Sequence, residues 1–444
     1  MPSRFANAAL PNEAERDFET FCQAYRQHSG KNWPKTKQHL ALERIFGNSR
    51  FLSAFLIRSP EMADSFLSSA TWDAEKSLED FKREVHAATQ GVNNKSDLIK
   101  KLKNFKYTEY LRLTLKELHL KEQSAIYREF SKLCLSITEV LANASWTELI
   151  EKYNTNTPGG VALIAMGKLG GLELNYSSDI DLIGLYESEG EINKITCHEF
   201  HTKLFTEIGK ELQHYDENGF LYRVDWDLRP EGKTGTLANS LAAIETYYET
   251  FGEDWERQAF IKADVLYQKE SLGERFLAMM TPFTYRKYID VKTFERLRDM
   301  KSRITIELGK KKSDGINIKI GHGGIRDVEF IVQGLQLLNG GKVPALRARG
   351  TIDALELLKA HNLIEEQTAA LLRQGYLFLR RIESALQMED ERQTHLLKNS
   401  PNERLKITRR LGYTEPNEQA LSTFSEEFQK TSDFIHKTFQ SFYE

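Results

Sequence analysis

The stretch Gly167–Tyr186, "GKLGGLELNYSSDIDLIGLY", decides how the chain is read. It places Asp179 and Asp181 one residue apart at the mouth of an apolar run. On a strand, residues two apart share a face, so the two carboxylates project together while Ile180 and Leu182 turn toward a core. Neighbouring carboxylates raise each other's pKa unless a cation lies between them, which points to a divalent metal. The pattern returns in "YRVDWDLRP" (222–230), where a strand would put Asp225 and Asp227 on one face with Arg223. If the two strands are neighbours, three or four carboxylates converge, a ligand set that suits Mg²⁺ or Mn²⁺. A pair of ions about 4 Å apart would clamp a phosphoryl group.

The residues just ahead of the aspartates fit the same chemistry. Gly167, Gly170 and Gly171 let backbone N–H groups approach a phosphate, and Ser177 and Ser178 add hydroxyl donors. The plainer reading is a glycine-rich turn before an edge strand with acids on its wet face. That accounts for a lone D-x-D better than for glycines, serines and a second acidic strand together. Arg229, before Pro230, is placed either to grip a phosphate bidentately or to pair with a nearby acid. Nothing matches G-x-x-x-x-G-K-[ST], and "MGKLGG" lacks the spacing of a dinucleotide-binding glycine motif.

The whole chain narrows the setting. Its 444 residues exceed one core and suggest two to four domains. The balance of 61 Lys plus Arg against 64 Asp plus Glu leaves a net charge of −3, so nothing global draws the protein to nucleic acid or anionic lipid. Three well-separated cysteines, Cys22, Cys134 and Cys197, fit reduced thiols. With no export signal and no apolar run long enough to span a bilayer, the expected location is cytoplasmic.

The expected fold is α+β and mostly helical, with a small mixed sheet between two helical domains. Helix-forming segments fill 1–153, with breaks at 28–35, Pro60 and 89–97. The polar turn "NTNTPGG" (154–160) opens a compact unit over 154–270: strands at "VALIAMG", "DIDLIGLY" and "FLYRVDWDL", and a helix in 194–215 with Phe200, Leu204, Ile208 and Leu212 on one stripe. Beyond Ser240 helical patterning returns, and 271–444 is read as a C-terminal helical domain.

Four further features carry weaker signals. "CHEFH" spaces Cys197 and His201 four apart, but no second pair completes a zinc site, so a helix surface is expected. "GHGGIRDVEFIVQGLQLL" reads as a glycine loop entering a helix, either an anion site assisted by Arg326 or a tight domain-joining turn, with His322 an ordinary loop histidine. Arg380, Arg381 and Glu383 are expected on a solvated helix face, and "GKKKSDG" (309–315) in a charged loop.

"GKLGGLELNYSSDIDL" followed by "YRVDWDLRPEGKTG" resembles a polymerase-β-type nucleotidyltransferase core, and specifically the glutamine synthetase adenylyltransferase/adenylyl-removing family. The resemblance continues in "DWERQAFIKA" (254–263), "NIKIGHGGIRDVEFIVQ" (317–333) and "YLFLRRIESALQ" (376–387). Members usually carry two such units, one removing AMP from a glutamine synthetase tyrosine and one attaching it. This sequence holds one unit and resembles the removing, N-terminal half. The resemblance therefore implies phosphorolysis: inorganic phosphate attacks the adenylyl phosphorus of adenylylated glutamine synthetase and releases ADP. It also implies Asp179, Asp181 and Asp225 as ligands of Mg²⁺, with Gly170, Gly171 and Ser178 at the phosphate. PII signal protein and its uridylylated form are the implied effectors. Two positions depart from the family pattern, Asp227 and Asp264, where basic residues usually stand. The alternatives are a transferase using ATP, or a non-catalytic module that docks glutamine synthetase or PII.

Overall fold

A computed structural model describes residues 4–68, 72–155, 158–287 and 314–443. Seven helices open the chain: α1 (Pro11–Ser29), α2 (Lys37–Glu43), α3 (Arg50–Arg58), α4 (Glu61–Ser68), α5 (Leu78–Thr89), α6 (Lys95–Leu118) and α7 (Gln123–Tyr153). Local chemistry sets their ends. Gly30 closes α1 in the left-handed conformation at φ 71°, and Ser77 with Asp80 forms a capping box that starts α5.

The mixed sheet follows. Its strands are β1 (Val161–Ala165), β2 (Ile180–Tyr186), β5 (Val224–Asp225), β6 (Ala238–Ser240) and β7 (Asp264–Lys269), with a two-strand hairpin, β3 (Glu191–Ile192) and β4 (Ile195–Thr196), beside it. β1 runs antiparallel to β2 and to β7, while β2 takes β5 and then β6 as parallel neighbours along the same edge. The sheet's helices are α8 (Gly167–Gly170), α9 (Cys197–Gln213), α10 (Leu241–Thr250), α11 (Asp254–Phe260) and α12 (Leu272–Thr284).

Period-two alternation divides the central strands between two cores. Val161, Leu163 and Ala165 of β1, with Ile180, Leu182 and Tyr186 of β2, join the N-terminal helices and α9. Ala162, Ile164, Ile183 and Leu185 point the other way, onto α10 and α12. Asp181 is on this second face, at the end of β2 where the sheet meets a cleft instead of α10 and α12. The first core continues without a break from the N-terminal helices into the sheet.

A third core gathers α13 (Ile325–Gly340), α14 (Thr351–Ala360), α15 (Glu366–Gln387), α16 (Pro401–Arg410) and α17 (Asn417–Tyr443), with a short ladder of β8 (Gly315–Asn317) against β9 (Leu396–Lys398). Among the described residues no helix is long and apolar enough to cross a membrane.

The structure corrects several expectations. "FLYRVDWDL" is not a full strand: only Val224 and Asp225 pair with β2, because the Asp225 carboxylate accepts the Asp227 N–H at 2.7 Å and turns the chain. Asp227 thus leaves the face it was expected to share and pairs with Lys233 at 3.3 Å. β7 lies in a region read as helical, β6 falls just ahead of it in a stretch given no element, and the GKLGG segment is a single helical turn. His201 is buried rather than on a helix surface: its ring stacks on Tyr186 at 4.9 Å and contacts the Cys197 carbonyl at 2.7 Å through Nδ1. Of the charged run 309–315, residues 309–313 lie outside the described residues.

The largest correction concerns α15. Arg380 and Glu383, expected in solvent, are both 0% exposed, while Arg381 is half-buried and donates to the Leu411 carbonyl at 2.8 Å. Glu383 faces Lys168 at 2.7 and 2.9 Å, the Asn175 amide at 2.9 Å, the Arg380 guanidinium at 2.9 Å and His395 Nδ1 at 2.9 Å. Amphipathic patterning cannot reveal the burial of a charge two of whose partners, Lys168 and Asn175, come from the distant sheet unit. Removing one member of such a set strands the others without compensation. Glu383→Ala should therefore destabilise the fold by about 3–5 kcal/mol in urea unfolding. A loss below about 1 kcal/mol would mean that the cluster is as weak as a surface pair.

Candidate active site

The acidic floor of the site comes from β2 and β5. Asp181 and Asp225 lie directly opposite one another in the parallel register. Burial and the facing Asp225 push the Asp181 carboxyl up to about 6. Gly167 makes its position possible. That residue has φ +54°, and a Cβ there would lie 2.2 Å from Asp181 Oδ2, so a side chain would displace the carboxylate.

Asp179 is held differently. Its Oδ1 accepts from Arg223 Nε at 2.8 Å and its Oδ2 from Gln393 Nε2 at 2.7 Å. Arg223 also donates to the carbonyl and, at 3.0 Å, to the hydroxyl of Ser177.

These groups border a cleft of about 410 Å³ whose opposite wall is basic and amide-rich. Gly167, Lys168, Ser178, Asp179, Asp181 and Asp225 line one side. Lys319, Arg326, Glu329 and Gln333, from the β8–α13 segment, line the other, with Gln258 and Lys262 from α11 and the turn after it. Lys262 Nζ is 2.6 Å from Glu173 and 3.1 Å from Glu329. Burial pushes Glu329 up, but Lys262 and Arg326 outweigh it and bring the carboxyl down to about 2.

Not every residue singled out by sequence borders the cleft. Gly170 and Gly171 pack beneath it: a Cβ on Gly170 would sit 1.8 Å from the Lys262 carbonyl, and one on Gly171 3.1 Å from the Lys262 side chain. They permit close packing of α8 against the turn after α11 rather than presenting N–H groups to the cavity. Ser177 turns its hydroxyl to the Glu391 carbonyl at 2.7 Å. The Arg229 guanidinium is spent on the carbonyls of Gly235, Trp226 and Lys233 at 2.9–3.0 Å, neither a phosphate grip nor an acid pair. Asp264 forms an ion pair with Arg349.

Conversely, Lys168, Gln258, Gln333, Gln393 and His395 reach the cleft without having been singled out. Lys168 alone had a local signal, being inside the glycine segment. The others depend on how distant segments pack.

The donor set fits a hard divalent cation. Among the described residues no three His, Cys, Asp or Glu side chains form a metal cage. Mg²⁺ seldom uses one, taking one or two carboxylates and filling its octahedron with water and substrate phosphate oxygens. Asp181 and Asp225 supply such a pair, and the Asp181 carboxyl, raised first by burial and then by the facing Asp225, is one whose charged form a cation would favour.

Residues 39–279 match the family described as glutamate-ammonia ligase adenylyltransferase, and residues 296–443 match the one described as GlnD PII-uridylyltransferase. Curated relatives named bifunctional glutamine synthetase adenylyltransferase/adenylyl-removing enzyme include one from Hahella chejuensis, 36% identical over 83% of this chain and 39% of its own length. Another, from Shewanella loihica, is 33% identical over 88% of this chain and 42% of its own. One from Stenotrophomonas maltophilia is 41% identical over 59% and 28%. The chain thus spans about two fifths of the length of the first two. On the match over 39–279 and on these relatives, the chain belongs to the glutamate-ammonia ligase adenylyltransferase family.

Proposed function

We propose that the chain removes AMP from adenylylated glutamine synthetase by phosphorolysis. The observation that carries this reading is the cleft's division of charge. Two anions, inorganic phosphate and the adenylyl phosphodiester, must meet beside Asp181 and Asp225, and Lys319 and Arg326 supply the opposing positive charge. The direction is supported by the likeness of "ELNYSSDIDL" and "GGIRDVEFIVQ" to the removing half of the family. A link to PII, free or uridylylated, is supported by the match of residues 296–443.

In this reading an oxygen of inorganic phosphate attacks the adenylyl phosphorus in line, and the bond to the tyrosine oxygen breaks. The electron pair leaves with the phenolate, which gains a proton as the attacking phosphate loses one, giving ADP and free tyrosine. Lys319 and Arg326 orient the incoming phosphate, and the Ser178 hydroxyl borders the adenylyl group. Mg²⁺, or Mn²⁺ in its place, would be held by Asp181, Asp225 and Asp179 and would neutralise charge on the phosphoryl oxygens. The relatives' printed name also supports a second reading, transfer of AMP from ATP to the synthetase.

Incubation with adenylylated glutamine synthetase, Mg²⁺, phosphate and uridylylated PII should release ADP only when phosphate is present. Asp181→Asn or Asp225→Asn should slow release by roughly 100- to 1,000-fold, and Arg326→Ala by roughly 100-fold. Folded wild-type protein that releases no ADP would overturn the removing reaction, and an ATP-dependent mass gain on unmodified synthetase would establish the transferase instead.

A pH experiment tests the acidic pair independently. The folded chain binds the Asp181 proton more tightly than the unfolded chain does. The stability this confers is complete below about pH 4 and lost as pH rises through about 6. Without metal, the melting temperature of Asp181→Asn relative to wild type should rise across that window. Mg²⁺ should raise the wild-type melting temperature at neutral pH and leave the variant's unchanged. A flat difference across the window would show that Asp181 titrates normally.

A further inference from the structure

The cleft is longer than its charged end requires. On α13, Arg326, Glu329 and Gln333 recur at spacings of three and four, so one face of the helix lines the cavity. On α11, Trp255, Gln258 and Ala259 do the same, and Lys262 follows one turn later. The two segments are tied at matching levels: Lys262 to Glu329 at 3.1 Å, and Gln258 Nε2 to Gln333 Oε1 at 2.8 Å. The wall therefore grades from the cationic Arg326, through Lys262 held between Glu173 and Glu329, to neutral amides about 10 Å farther along the helix. Arg326 and Lys319 are the cations that act on Asp181, so the glutamines mark the end remote from the phosphate chemistry. With Trp255, Ala259 and Leu228, that end holds an aromatic ring, apolar carbon and uncharged amides.

Gln258 and Gln333 are both more than nine-tenths buried, and their mutual bond uses one donor and one acceptor. Whichever way the two amides are oriented, one carbonyl oxygen and one NH₂ group remain for a ligand. Adenine presents the complement, an N6 amino donor beside a ring-nitrogen acceptor, whereas guanine offers two acceptors on its Hoogsteen edge and the donor and acceptor in the opposite order on its Watson–Crick edge, which a fixed pair of amides tells apart. We propose that Gln258 and Gln333 read the base of an adenine nucleotide whose phosphates lie at Asp181 and Arg326, with Trp255 giving the ring a stacking surface. This rests on the nucleotide chemistry proposed above and adds the source of its base specificity.

The test is calorimetric titration of the full chain with ADP and with GDP in the presence of Mg²⁺. Wild type should bind ADP roughly 10- to 100-fold more tightly than GDP. Gln258→Leu and Gln333→Leu should bring that ratio toward one with the melting temperature retained. Trp255→Ala should weaken both nucleotides alike, because stacking is tolerant of base identity. If a leucine variant fails to fold, comparison of ADP with IDP on the wild-type chain replaces it, since inosine lacks the N6 amino group and should bind like GDP. Equal binding of ADP, GDP and IDP by wild type, or a ratio that survives both leucine variants, would overturn the base-reading role and leave the phosphorolysis reading standing. Failure of wild type to bind any of the three would remove both.

Discussion

The structure hangs on one buried carboxylate. Glu383, near the C-terminal end of α15, is sealed from water and meets Lys168 from the glycine turn, Asn175 from the loop before the aspartates, Arg380 from its own helix and His395 from the segment beyond. A lone buried charge is too costly to persist, so these groups must arrive together. Their sources show what is being held. Two belong to the sheet unit and two to the C-terminal helices, and the ends of Lys168 and His395 border the same cleft. The charge cluster fixes the distance between the acidic floor and the basic wall.

Electrostatics across that gap is organised by opposition. Asp181 is pushed up by burial and by Asp225, while Glu329, across the cavity, is brought down by Lys262 and Arg326 despite its burial. Two carboxyls in one cleft thus lean opposite ways, one wanting a cation and one already supplied. Asp179 is a third case, with both oxygens occupied by Arg223 and Gln393. The floor is thus short of positive charge and the wall facing it is rich in it.

Much of this was legible from particular residues. The i, i+4 stripe of Phe200, Leu204, Ile208 and Leu212 placed α9, and all four are buried. The Asp179–Asp181 pair marked the start of β2 because alternation on a strand is a local property. The second acidic strand was misjudged because Asp225 bonds to the backbone of Asp227, a turn that hydrophobic spacing does not encode. Gly170 and Gly171 looked like a phosphate cradle because sequence cannot distinguish a glycine that admits a ligand from one that admits the Lys262 carbonyl. Arg380 and Glu383 looked solvated because charge on a helix usually is. Strand β7 was missed because its six residues carry too short an alternation to outweigh the helical segments on either side.

The loop before the aspartates and the chain leaving α15 run side by side. Asn175 meets Glu383, the Ser177 N–H reaches Gln387, its hydroxyl reaches Glu391, and Asp179 meets Gln393. The later segment thus serves as a template against which the earlier one is ordered. On a ribosome, which emits the chain from its N-terminus, β1 and β2 emerge roughly two hundred residues before their template. The acidic strand can pair with β5 and β6 in that interval, but the loop carrying Ser177 and Asp179 lacks the last of those four contacts until Gln393 has cleared the exit tunnel. A nascent chain arrested before that point would hold the acidic residues without the segment that orders their loop, so assembly of the site is timed to the later part of synthesis.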